Sequence, residues 1–327
     1  MFAEKLSIGI NMFSDNSQIK LFAAPLQGYT DAAWRHFHCI VYGGDVDCYF
    51  TPFLRVEDGC VRKRDVRDIT SPLNESMPVV PQIIFRDVAE FRILLECVVA
   101  AGFRQVDMNF GCPFPPQVKH GRGAAMLRKP ELLSELTSVI NHEYGNISFS
   151  VKMRLGVELD DEWKTVIDYI NEMNLSHVTV HPRVAVQQYG GDLHINAFVE
   201  LMSACRHPVV FNGDIFDTTQ PARIFDRFPD LYGIMLGRGL LARPSLIAEI
   251  KEGCDWSLNK RLERMTEFHR KLYAYFSGIL CGDAQLLSKI KSFWDYAEPE
   301  IGHKAFKRIK KANSVTKYNE AVAQILT

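Results

Sequence analysis

Short apolar or β-branched runs alternate along this chain with longer amphipathic stretches. The runs are IKLFAA (19–24), CYFT (48–51), VVPQII (79–84), QVDMNF (105–110), SFSVKM (148–153), HVTVH (177–181), PVVFN (208–212) and LYGIML (231–236). Between several of them lie VAEFRILLECVVAAG (88–102), PELLSELTSVINHEYG (130–145), DEWKTVIDYINEMN (161–174) and INAFVELMSAC (195–205). The period of the apolar positions switches repeatedly from strand-like to 3.6. Eight strands alternating with helices predict an α/β fold, a (β/α)8 TIM barrel. A doubly wound sheet is the rival, but no G-x-G-x-x-G follows the first strand. From about Asp255 the pattern is helical only, through RLERMTEFHRKLYAYFSG (261–278), AQLLSKIKSFWDYAEP (284–299), HKAFKRIKKAN (303–313) and YNEAVAQIL (318–326). This predicts a small C-terminal helical domain over 255–327, after a barrel over 20–250 and an N-terminal extension over 1–19. The boundary is expected in LLARPSLIAEIKEGCDW (240–256).

Composition narrows the class. At 327 residues and 47% hydrophobic, the chain is long and apolar enough for an enzyme-sized core, which excludes wholesale disorder. No run of about 18 apolar residues exists, so no membrane span is expected. The N-terminus lacks a basic segment, a long apolar segment and a small-residue cleavage site, so the expected location is cytoplasmic. Eight cysteines occur without a C-x-x-C pair, which points to neither a zinc knuckle nor a redox dithiol; no metal is expected. The near-neutral total hides an asymmetry. Residues 255–327 hold 13 Lys and Arg against 8 Asp and Glu, leaving 25 against 31 elsewhere. The excess crowds into Lys304, Lys307, Arg308, Lys310, Lys311 and Lys317. Such a face suits phosphate contact, with an ordinary solvated helix as the competing reading.

The chemistry lies at the strand ends, where a barrel of this kind builds its site. In chain order these carry Pro25, Leu26, Gln27 and Gly28; Thr51; Gln82; Asn109, Gly111 and Cys112; Lys152 and Arg154; His181 and Arg183; Asn212, Gly213 and Asp214; and Gly237, Arg238 and Gly239. Polar residues at every strand end are costly to bury without a shared purpose. The loops NGDI (212–215) and LGRG (236–239) fit a phosphate. Gln82, Lys152 and His181 suit a planar polar ring, so flavin mononucleotide fits the pattern. Cys112 is the reactive candidate, as general acid if protonated or nucleophile if its pKa is depressed. Cys97 and Cys205 read as packing cysteines.

Six segments together, AAPLQGYTD (23–31), MNFGCPFPPQVKHGRGAAML (108–127), VKMRLG (151–156), TVHPRVAVQQYGG (179–191), VVFNGDI (209–215) and IMLGRG (234–239), resemble the tRNA-dihydrouridine synthases of bacterial type. The resemblance implies FMN-dependent reduction of uridines in tRNA, in the D-loop by the character of the tail, with NADPH re-reducing the flavin. It implies that Pro25, Leu26 and Gln27 back the flavin, that Gln82 and Lys152 bond its ring, and that His181 lies beside it. Asn212, Gly213, Asp214, Gly237 and Arg238 would hold its ribityl phosphate. Cys112 matches the family's proton donor, and Asn109, Arg154 and Tyr189 match positions lining the uracil pocket. The target base must be flipped out to reach a barrel mouth, and the basic tail would bind tRNA. The family prior favours a monomer.

Two departures stand out. Pro52 follows Thr51 where the family often has an acid, and His-Pro-Arg (181–183) replaces the commoner His-Gly-Arg. Three rival readings remain open: an FMN barrel acting on a small enone or free pyrimidine, a class I aldolase-like barrel using Lys152 as a Schiff base, and a tRNA-binding chaperone without catalysis.

Overall fold

The structure is a computed structural model, and it describes residues 19–325. The expected extension lies outside the described residues, Ile19 excepted. The barrel strands are β1 (Lys20–Ala23), β2 (Cys48–Phe50), β5 (Val79–Val80), β6 (Gln82–Ile83), β7 (Gln105–Phe110), β8 (Ser148–Gly156), β9 (Leu175–Val184), β10 (Val209–Phe211) and β11 (Gly233–Leu236). A small hairpin, β3 (Val56–Glu57) and β4 (Cys60–Val61), stands apart from them. All barrel pairings are parallel, in the order β5-β2-β1-β11-β10-β9-β8-β7-β6.

Nine strands are seen where eight were predicted, because Pro81 splits one run. Proline has no N–H to give a sheet ladder. The run from Val79 to Ile83 pairs with β2 through its first half and with β7 through its second. The Asp107 amide bridges the break by donating to the Pro81 carbonyl at 2.9 Å. The ring therefore closes through one interrupted run, and the architecture is that of a TIM barrel.

The helices cover the outside. They include α1 (Ala32–Tyr42), α2 (Val88–Ala100), α3 (Pro130–Glu143), α4 (Ile195–Ala204) and α5 (Thr219–Arg227). Asp31 caps α1 by accepting from the Trp34 amide at 3.0 Å, and Asp87 caps α2 by accepting from the Glu90 amide at 2.8 Å. The helix expected over 161–174 instead forms a 3-10 turn, Glu162–Thr165, and a short helix, Ile167–Glu172. Three β-branched residues in a row, Thr165, Val166 and Ile167, weaken the helix where it breaks. Inside the barrel, Phe22, Ala24, Phe50, Val80, Val210 and Met235 form a buried apolar plug. Phe22 meets Phe50 edge-on at 5.6 Å and stacks on His177 at 5.4 Å.

Beyond the barrel, the chain 240–256 is not a linker but carries two short helices, Arg238–Ala242 and Leu246–Glu252. The tail then runs through α6 (Leu258–Ile279), α7 (Asp283–Lys291), α8 (Glu298–Lys311, kinked at Gly302) and α9 (Val315–Ala323). At its centre the Tyr318 hydroxyl meets His269 Nε2 at 2.5 Å and accepts from Trp294 Nε1 at 2.8 Å. The tail is fastened to the barrel in two ways. Phe268 of α6 packs edge-on against Trp34 of α1 at 5.6 Å. The loop after β1 is also clamped: Tyr29 donates to Asp295 at 3.1 Å, Lys310 pairs with the same carboxylate at 2.5 Å, and Lys289 pairs with Asp31 at 2.6 Å. No helix among the described residues is long and apolar enough to cross a membrane.

Candidate active site

Side chains alternate in and out along a strand. Asp107 and Asn109 on β7, Ser150, Lys152 and Arg154 on β8, and Thr179, His181 and Arg183 on β9 thus share the inward face. At the C-terminal ends of the strands this face opens into a cavity of about 810 Å³. The fifteen residues given a role from the sequence line it: Pro25, Leu26, Gln27, Gln82, Asn109, Cys112, Lys152, Arg154, His181, Tyr189, Asn212, Gly213, Asp214, Gly237 and Arg238; of the other strand-end residues, Thr51 and Arg183 do not.

One wall is a chain of amides. Gln82 donates to Asp107 at 2.7 Å, and its carbonyl accepts from Asn109 at 2.7 Å. Asn109 Oδ1 accepts from the backbone amides of Gly111 at 3.1 Å and Cys112 at 2.8 Å. Asn109 thus braces the loop that carries Cys112. Asp107 also accepts from Ser150 at 2.6 Å. Burial pushes the Asp107 carboxyl up to about 6, while Gln82, Ser150 and Lys152 favour its ionised form.

The Cys112 thiol faces the same cavity. Burial pushes its pKa up, and the Phe114 amide, Arg154 and Lys152 only partly offset this. At neutral pH it is a thiol and not a thiolate, which suits proton donation and opposes a nucleophilic role. Gly123 packs close against the Cys112 backbone and Cβ. It sits at φ +61, and a Cβ there would lie 2.7 Å from the Cys112 carbonyl oxygen and 2.8 Å from its Cβ.

The adjoining wall is cationic, since Lys152 is the in-register neighbour of Asn109. Burial and the neighbouring Arg154 pull Lys152 down to about 8, against Asp107 and Cys112. Arg154 donates to the Val184 carbonyl at 2.9 Å. Burial opposes ionisation of Asp214, but bonds and charge from Arg183 and Arg238 hold its carboxyl below the usual range. Arg183 reaches it at 2.5 Å and Arg238 at 2.5 Å. Asp214 therefore ties two guanidinium groups together, with its own charge satisfied. Arg183 also donates to His181 Nε2 at 3.2 Å, which makes that nitrogen the acceptor and leaves Nδ1 to carry the proton. Burial, reinforced by Arg154 and Lys152, keeps His181 neutral. Tyr189 lies between Arg154 and Arg238, at 5.5 and 4.8 Å from the guanidinium carbons. Asn212 spends one donor on the Met235 carbonyl at 2.7 Å, tying β10 to β11. Gln27 donates to the Phe53 carbonyl at 3.0 Å, fixing the turn after β1.

The structure adds residues that the strand-end reading missed. Asp107 and Ser150 sit one layer below the strand ends. Arg183 was noted but given no role. The β3–β4 hairpin brings Arg55, Arg62 and Arg64 to the mouth. Its signal was present in Asp58-Gly59, a hairpin turn pair with φ values of 50 and 76.

The family model for dihydrouridine synthase (Dus) matches residues 22–326. Among curated proteins, the chain is 28% identical over 261 residues to "Probable tRNA-dihydrouridine synthase 2" of Bacillus subtilis (strain 168), covering 78% of each chain. It is 27% identical over 258 residues to "Probable tRNA-dihydrouridine synthase" of Staphylococcus epidermidis, covering 76% of each. Among solved structures, morphinone reductase superposes with a TM-score of 0.52 at 12% identity, over 75% of this chain and 89% of that one. The old yellow enzyme from Trypanosoma cruzi gives 0.52 at 11% identity, over 76% and 94%. These two share the fold.

Proposed function

The chain belongs to the dihydrouridine synthase family and is a tRNA-uridine reductase, and on that premise we propose that it works with FMN and NADPH on a D-loop uridine, with Cys112 as the acid. The observation that carries this reading is a protonated thiol and two cations, Lys152 and Arg154, lining one deep cavity.

The cavity fits the cofactor. Its volume of about 810 Å³ accommodates a tricyclic ring with a phosphate arm. At the expected phosphate end Gly237 leaves the backbone bare: a Cβ there would lie 3.6 Å from Ala24, in the cavity itself. The excess positive charge of Arg183 and Arg238 over Asp214 complements an anion. When bound, FMN would supply the hydride that reduces uracil at carbon 6, with NADPH as its reductant. Cys112 is placed to give its proton to carbon 5. Lys152 and Arg154 stabilise the negative charge that develops on the uracil carbonyls. The Schiff-base alternative is not favoured, because the family model and the curated relatives are those of dihydrouridine synthases.

The test is a visible spectrum of the purified protein, followed by NADPH and undermodified tRNA. Flavin bands that bleach with NADPH and recover as dihydrouridine forms are expected. A colourless protein that takes up no FMN would overturn the reading.

The tail is the proposed tRNA-binding domain, over 255–327, and the enzyme is proposed to act as a cytoplasmic monomer. The structure separates the basic residues of α8. Lys310 is committed to Asp295 and Arg308 to Gln324. Lys304, Lys307 and Lys311 are exposed and form no ion pair among the described residues. Reversing these three to Glu is expected to weaken tRNA binding about tenfold or more at physiological salt and to flatten its salt dependence. NADPH oxidation by oxygen should not change. Binding curves across a salt series check this, and unaltered affinity would make α8 a solvated face only.

A further inference from the structure

Asp107 is fully buried beneath the cavity, and the reaction above does not use it. Its in-register neighbours are Gln82 on β6 and Ser150 on β8. Both donate to it, at 2.7 and 2.6 Å. We propose that Asp107 is a positioning residue that sets the hydrogen-bond polarity of the Gln82–Asn109 pair, so that both amides offer N–H groups to the cavity and Asn109 grips the Cys112 loop.

The polarity follows from what each group is able to do. An ionised carboxylate only accepts. Gln82 must therefore turn its nitrogen toward Asp107, which leaves its carbonyl for Asn109. Asn109 must then turn its nitrogen toward Gln82, which leaves Oδ1 for the loop. The partners waiting there, the amides of Gly111 and Cys112, only donate. An acceptor at one end and donors at the other allow a single arrangement. Flipping either amide would set donor against donor in a buried place.

Each side-chain amide has two N–H bonds, and each spends one inside the chain. The second on Gln82 and the second on Asn109 remain, and both residues line the cavity. The wall thus meets a planar ring with donors. Ring carbonyls suit it, as in uracil or the flavin edge, whereas an exocyclic amine such as that of cytosine does not. The identity of the ring rests on the function proposed above; the polarity itself does not.

The experiment compares Asp107→Leu and Asp107→Asn with the wild type, each loaded with FMN. Asp107→Leu removes the acceptor at similar volume. It is expected to lower kcat about 100-fold, since small displacements at a reacting centre carry losses of that size. It should also shift the flavin visible band and speed alkylation of Cys112 by iodoacetamide about tenfold as the loop loosens. In Asp107→Asn the new amide still accepts from Gln82 while donating to Ser150, so the spectrum and most of kcat should return. A merely structural role would lower the melting temperature of both variants and leave the spectrum alone. If Asp107→Leu does not fold, the double variant Asp107→Asn with Ser150→Ala takes its place. It keeps the volume but loses the serine that orients the new amide, and the loose-loop behaviour should reappear. Wild-type spectrum, alkylation rate and kcat in the acceptor-free variant would overturn the proposal. Alkylation is read with and without FMN, so it stays decisive even if the wild type forms no dihydrouridine, a result that would sink the functional reading separately.

Discussion

Cys112→Ala should bind FMN and tRNA as the wild type does and yet form dihydrouridine at least about 100-fold more slowly, the usual contribution of a placed general acid. The backbone amide of Cys112 stays bonded to Asn109 in this variant, because that contact does not involve the thiol. Gly123 keeps its fit, since only an atom beyond Cβ is lost. Reduction of the flavin by NADPH needs no proton from the thiol, so that half-reaction should keep its rate. The defect must appear only when tRNA is added. Rapid mixing separates the two half-reactions and reads both from the flavin bands. Cys112→Ser sharpens the test: it restores the shape, but an alcohol is a far weaker acid than a thiol, so it should recover little. Wild-type turnover in the alanine variant would remove Cys112 from the mechanism.

The second large effect is on stability in acid. Burial holds His38 at about 4, His177 at about 4 and His269 at about 3, and keeps His181 neutral well below the ordinary histidine range. In the unfolded chain these groups take up protons near 6.5. Their folded values are depressed, so their stabilisation is present above about 6.5 and is lost as pH falls toward 4. Asp107 works in the opposite sense. Its folded value, about 6, lies above that of the unfolded chain, so it takes up a proton earlier in the fold and recovers part of the loss between 6 and 4. At pH 5.5 these five groups together gain about three protons on unfolding, a slope of about 4 kcal/mol per pH unit from them alone. Urea unfolding of the FMN-free protein from pH 7 to 5 measures this directly. A slope under about one proton would mean that the buried histidines charge without unfolding.

The barrel was legible because its strands are short β-branched runs with helices between them, and because polar residues gather where the runs end. The strand ends alone gather Asn109, Lys152, Arg154 and His181 at one mouth without any structure. Asp107, two residues before Asn109, lies one layer below those ends, where only strand alternation would point to it. Pro81 was visible within VVPQII, yet the sequence does not say that the two halves of one run pair with different neighbours. That follows only from closing the ring. The Arg183–Asp214–Arg238 grouping was likewise out of reach, since it joins a strand residue, a loop residue and the first residue of a helix through distances of 2.5 Å. Gly123 could have been suspected within GRGAAML, but its need arises from the nearness of Cys112, which only the fold supplies.

The clamp between the loop after β1 and the tail has a consequence for choice of target. Tyr29 lies next to Gly28 at the cavity wall, and it reaches α8 through one carboxylate, Asp295, and one lysine, Lys310. The basic face of α8 and the opening above Cys112 are therefore parts of one stiff frame, separated by a span that short contacts fix. An RNA laid across such a frame is measured against it. With the tail as the proposed tRNA-binding domain, the base that falls into the cavity would be the one at the right distance from the phosphates the tail holds. On that proposal the protein would select by length, as a gauge does, and lengthening or loosening the clamp should move the mark.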